Sequence, residues 1–112
     1  MRSAGKLRLS YYKCSYMCSK MIAVEFEWDP DKAASNERKH AIPFPIATRV
    51  FLDGNRLERR DARKDYGEER WITIGLVDEF EIVVVYTLRI ASIRIISARR
   101  ADRDEREAYW DR

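Results

Sequence analysis

The chain has 112 residues, 46% of them apolar and 37% charged, with a formal net charge of +3, which suits one domain built on one small core. No run approaches the roughly 20 apolar residues of a membrane-spanning helix, and no apolar signal segment follows the basic N-terminus, so a cytoplasmic protein without a membrane partner is expected. Arg2, Lys6, Arg8, Lys13 and Lys20 place +5 in residues 1–20, which leaves −2 for residues 21–112 and argues against a basic stripe for sequence-independent DNA binding.

Residues 1–20 show no period of 2 or 3.6 and read as a disordered basic extension ahead of a single domain at 21–112, with Met21 as a candidate start. Cys14 and Cys18 lie in this stretch, and a helix would bring both to one metal. A zinc site wants four ligands, however, and outside this stretch the chain adds only His40, so free thiols and no metal or other cofactor are expected.

Val24, Phe26 and Trp28 alternate with Glu25 and Glu27, the signature of a half-buried strand. Asp29 then suits a helix N-cap, Pro30 the first helical position and Asp31 the positive end of the dipole, which predicts a helix to about His40. Asp29, Lys32 and Asn36 share one face of it, read as a cap with surface polar residues. Pro43 ends the helix, and Ile46, Ala47, Val50 and Phe51 mark the buried face of a second one before the turn at Asp53-Gly54-Asn55.

Arg56 to Lys64 carries +3 and little apolar content, which predicts an edge strand or a mobile loop, either solvated surface or substrate contact. Three strands follow, Trp71–Gly75, Glu81–Thr87 and Ser92–Ala98, joined by links short enough for an antiparallel meander with the all-apolar second strand at its centre. A charged helix from Asp102 to Arg112 offers Ala108, Tyr109 and Trp110 for docking. The expected fold is α+β, β-α-α-β-β-β-α, with the helices on one face of an antiparallel sheet.

The segments Phe26–His40, Gly67–Gly75, Val83–Thr87 and Ile93–Ala101, in this order and spacing, resemble the BrnT toxins of bacterial type II toxin-antitoxin modules. The resemblance implies a RelE-like fold and a small endoribonuclease that cleaves RNA and arrests growth. It also implies a BrnA-like ribbon-helix-helix antitoxin as partner, a possible heterotetramer with it, and operator DNA reached only through that antitoxin. Two positions depart from the family pattern. Ala41 stands where Gly usually follows the Lys-His pair, so a left-handed helix cap there is strained or absent, and the Val77–Phe80 hairpin lacks its usual glycine.

A metal-independent ribonuclease has to deprotonate the 2′-hydroxyl, protonate the leaving 5′-oxygen and neutralise the transition-state charge. Arg70 and Arg99 are the expected phosphate clamp and His40 the acid or base, with Lys39, Arg63, Arg94, Arg100 and Tyr86 as substrate contacts. Each has a plainer reading: His40 and Lys39 suit a helix C-terminus, Arg70 suits an ion pair with Glu68 or Glu69, and Tyr86 suits the core. Strict alternation would group Arg99 with Ile93, Ile95 and Ser97, and Arg100 with Arg94, Ile96 and Ala98, so only one of these neighbours enters a given cleft. The competing function is a non-catalytic nucleic-acid-binding or corepressor subunit acting with a DNA-binding antitoxin.

Overall fold

The computed structural model describes residues 5–13, 21–61 and 67–112. The alternation around Phe26 becomes strand β2 (Met21–Trp28), and Asp29 caps α1 (Pro30–His40) by accepting from the Asp31 amide at 2.8 Å. The second helical stretch divides into α2 (Phe44–Ala47) and a 3₁₀ turn (Thr48–Leu52). Ala47, Val50 and Phe51 are buried as expected, whereas Ile46 is 41% exposed. The charged segment supplies a short strand, β3 (Leu57–Arg60), and the meander follows as β4 (Trp71–Val77), β5 (Phe80–Leu88) and β6 (Ser92–Arg100). Asp102 then opens α3 (Arg103–Trp110) through a capping box with Glu105. Among the described residues no helix is long and apolar enough to cross a membrane.

Residues 5–13, expected to be part of a disordered extension, form strand β1 (Gly5–Lys13), antiparallel to β2. The backbone register sets Lys6 opposite Glu27 and Arg8 opposite Glu25. Cys14 and Cys18 lie outside the described residues. The strands form one sheet in the order β1-β2-β6-β5-β4-β3, and β2 runs parallel to β6. The sheet is therefore mixed, where an antiparallel one was expected: α1 and α2 carry the chain between β2 and the meander, and the last meander strand returns beside β2 in the same direction.

The helices also occupy both faces of the sheet, where one was expected. Ile82, Val84 and Tyr86 of β5 join Phe26, Trp28, Phe44, Val50 and Phe51 in one core under α1, α2 and the 3₁₀ turn. Val83, the intervening residue, joins Ile72, Ile74 and Tyr109 of α3 in a second core on the opposite face. The all-apolar run of β5 reflects burial on both sides. On the first face the 3₁₀ turn lies against Gly75, where an added Cβ would sit 2.9 Å from the Cβ of Val50. On the second, the Tyr109 hydroxyl donates to Asp53 Oδ2 at 2.5 Å and the Leu76 amide donates to the same oxygen at 2.8 Å. Burial opposes the Asp53 charge, but Tyr109 and the Leu76 and Asn55 amides outweigh it and hold the carboxyl below its ordinary range. Burial first, then Asp53, push the Tyr109 hydroxyl up to about 12.

Strand β6 outlasts its neighbour, since its pairing with β2 ends at Glu27 opposite Arg94. Farther along, the Ala98 amide donates to Asn36 Oδ1 at 3.1 Å and Asn36 Nδ2 donates to the Ala98 carbonyl at 2.7 Å. Asn36, read from the sequence as a surface residue, is thus buried and acts as a one-residue substitute for the missing strand. Its Nδ2 also donates to the Ile42 carbonyl at 3.4 Å, just past the C-cap, Ala41, which does adopt the left-handed conformation at φ 61°.

Two outcomes follow for stability. Asn36→Ala leaves the Ala98 amide and carbonyl buried without partners and should lower the unfolding free energy by about 2–4 kcal/mol in urea titration. Ala41→Gly should raise it by about 1 kcal/mol by relieving the left-handed cap, seen as a higher melting temperature.

Candidate functional site

Glu27 alternates with the buried Phe26 and Trp28 and so belongs to the opposite face of β2. The parallel register sets it beside Arg94, whose Nη1 lies 3.6 Å from Glu27 Oε1. Arg89, in the β5–β6 connection, places Nε 3.9 Å from the same Glu27 oxygen and Nη2 3.5 Å from Glu68 Oε1. Arg70 places Nε 3.8 Å from Glu68 Oε2. Arg70, Glu68, Arg89, Glu27 and Arg94 thus form a chain of alternating charge across one end of the sheet. All four separations exceed the ~2.8 Å of a tight charge-assisted hydrogen bond, so these pairs are loose.

Arg99 differs. Its Nη1 and Nη2 donate to Glu105 Oε1 and Oε2, each at 2.7 Å, and Glu105 Oε1 also accepts from the Asp102 amide at 2.9 Å. This bidentate pair fastens the start of α3 to the end of β6. The Arg99 hydrogen bonds hold the Glu105 carboxyl below its ordinary 4.5 against the opposing effect of burial, with help from the Asp102 amide.

Arg70 and Arg99 are far apart. Thr87 Oγ1 donates to the Glu69 carbonyl at 2.7 Å, so Arg70 stands level with the end of β5, while Arg99 pairs with Val83 near its start. Four strand residues separate these levels, about 13 Å, and β5 lies between the two arginines' strands, so the structure does not bring them to one phosphate.

The grouping of arginines along β6 also differs from strict alternation. Val85 pairs with Ser97 and Tyr86 with Ile95, which leaves Ile96 as a bulge. The extra residue resets the parity. Ile95 and Ala98 share the first core, Arg100 falls on their side, and Arg99 falls with Ser97 and Arg94 on the other.

His40 lies at the exposed end of α1 and, with Arg100, lines a cavity of about 420 Å³ on the first face. Neither approaches the arginine chain. Lys39 is exposed beside His40. Tyr86 is not a base-stacking residue: its ring packs edge-on against Phe51 at 5.0 Å, and its hydroxyl donates to Glu58 at 3.3 Å. Arg63 lies outside the described residues. The sequence reading missed Glu27, Glu68 and Arg89 as site residues. The charge of Glu27 on a half-buried strand was visible, but its meeting with Arg94 depends on the parallel pairing of β2 and β6.

The family model of the ribonuclease toxin BrnT, of type II toxin-antitoxin systems, matches residues 28–105, and the chain belongs to that family. No curated protein matches it.

Arg99→Ala should cost about 1 kcal/mol of stability above pH 5, as expected for a half-exposed bidentate pair. Glu105 titrates lower in the folded than in the unfolded chain, so its contribution is present above pH 4.5 and fades as the pH falls below it. Urea midpoints of parent and variant should accordingly converge toward pH 3; a constant gap would refute this role for the pair.

Proposed function

We propose that this member of the BrnT ribonuclease toxin family is a metal-independent endoribonuclease whose RNA backbone site is the chain of Arg70, Arg89 and Arg94 with Glu27 and Glu68. The observation that carries this reading is the loose ion-pair chain, with separations of 3.5–3.9 Å. A phosphodiester offers these guanidinium groups shorter, bidentate contacts than the carboxylates do, so RNA binding exchanges weak pairs for strong ones.

Glu27, flanked by Arg89 and Arg94, is the group placed to act as general base. It accepts the proton of the 2′-hydroxyl as that oxygen attacks phosphorus. The P–O5′ bond breaks, the 5′-oxygen takes a proton from solvent, and a 2′,3′-cyclic phosphate is left. Arg94 and Arg89 stabilise the charge that builds on the non-bridging oxygens, and Arg70 holds a neighbouring phosphate. The RelE-like label, a BrnA-like ribbon-helix-helix antitoxin, and operator DNA reached through that antitoxin belong to the same reading.

Purified protein should cleave RNA to fragments with cyclic phosphate ends. Arg94→Ala and Glu27→Gln should each slow cleavage on the order of 10²–10³-fold while unfolding midpoints change by less than about 1 kcal/mol. Cleavage undiminished in both variants would remove the site from this surface. Salt-sensitive RNA binding without new ends would leave the corepressor function instead.

A further inference from the structure

The cavity at the other end of β5 and β6 combines features that the ribonuclease reading does not use. Its walls are aliphatic, with Ile42, Val77 and Ile82 at the floor and Ile46 and Phe80 at the mouth, the last two 41% and 45% exposed. Arg100 stacks its guanidinium 3.9 Å from the Phe80 ring centroid. Two further lining residues, Ala41 and Asp78, are the non-glycine positions with positive φ among the described residues, at 61° and 55°. The first is the cap of α1 and the second the turn of the β4–β5 hairpin, so two chain reversals form one side of the cavity.

The charges at the rim are unequal. Asp78 is taken up by Arg49 at 3.0 Å, and Glu81 accepts from Trp110 Nε1 at 2.7 Å. Arg100 has no ion pair within 4.0 Å among the described residues, its charge acting on Glu81 only at longer range, and the exposed His40 lines the same cavity. The cavity thus offers an apolar hole with a cationic lip. A nucleobase would find polar partners only at the rim, in His40, Asp78 and Arg100, and would bury the rest of its polar edges against aliphatic walls, which is costly. A protein segment with an apolar side chain and a nearby carboxylate satisfies both parts.

We propose that this cavity is a docking site for the protein antitoxin, and that it receives an aliphatic or aromatic anchor whose neighbouring acid pairs with Arg100. The proposal rests on the family's antitoxin partnership and not on the position of the RNA site, so the two can fail separately. Anchors seated in such pockets carry much of the energy of an interface.

The test uses the full-length chain and the antitoxin encoded in its operon, with affinity read by calorimetry and cleavage by RNA end mapping. Ile46→Glu, Phe80→Ala and Arg100→Glu alter exposed residues, and thermal melts check that each variant folds. Each should weaken antitoxin binding at least tenfold, with RNA cleavage by free Ile46→Glu and Phe80→Ala protein within twofold of the parent. Arg94→Ala should do the opposite and keep its antitoxin affinity. Antitoxin affinity within twofold for all three cavity variants overturns the proposal. So does loss of RNA cleavage in Phe80→Ala with antitoxin binding intact, which would make the cavity an RNA subsite.

Discussion

The buried amide of Asn36 is the contact on which the arrangement of both ends of the molecule depends. It meets Ala98 through one donor and one acceptor, as a neighbouring strand would. Without it, β6 would run past the end of β2 with an unpaired amide and carbonyl inside the protein, a cost that folding does not tolerate cheaply. The same side chain fixes α1 to the sheet and sets where its C-terminus lies. Through that, it positions His40 and Ala41 at the cavity mouth and holds β6 in the line that delivers Arg99 and Arg100 to its far end.

Local signals in the sequence were strong wherever one interaction type decides the structure. Asp29 and Pro30 marked the start of α1, and its end at His40 followed from the proline ahead. The strands of the meander were visible in their β-branched runs because burial selects those residues on both faces. What stayed hidden depends on partners distant in sequence. Asn36 looked like a surface residue because nothing nearby shows that β2 ends before β6 does. The placement of α3 on the second face follows from Tyr109 donating to Asp53, which also accepts from the Leu76 amide, contacts that have no local signature.

The candidate site was legible in its chemistry and only partly in its assembly. The sequence marks arginine as the cation in Arg70, Arg94 and Arg99, but the roles separate once distances are known. Arg99 is held at 2.7 Å by Glu105 and serves the corner into α3. Arg94 faces Glu27 at 3.6 Å and stays exchangeable. A tight bidentate pair resists competition from an incoming phosphate more than a loose pair does, and this difference underlies the proposed assignment of Arg94 to the RNA backbone.

The bulge at Ile96 carries a consequence for how this surface can evolve. A strand has only two sides, so whether residue 96 is bulged out or paired in the ladder decides which face each of the two adjacent guanidinium groups reaches, without changing either side chain. In this chain the extra residue sends Arg100 toward the cavity and leaves Arg99 to anchor the helix. A relative that kept a residue at this position but drew it into the regular ladder would present the opposite arginine to each face, whereas deletion of the bulged residue would leave both destinations as they are.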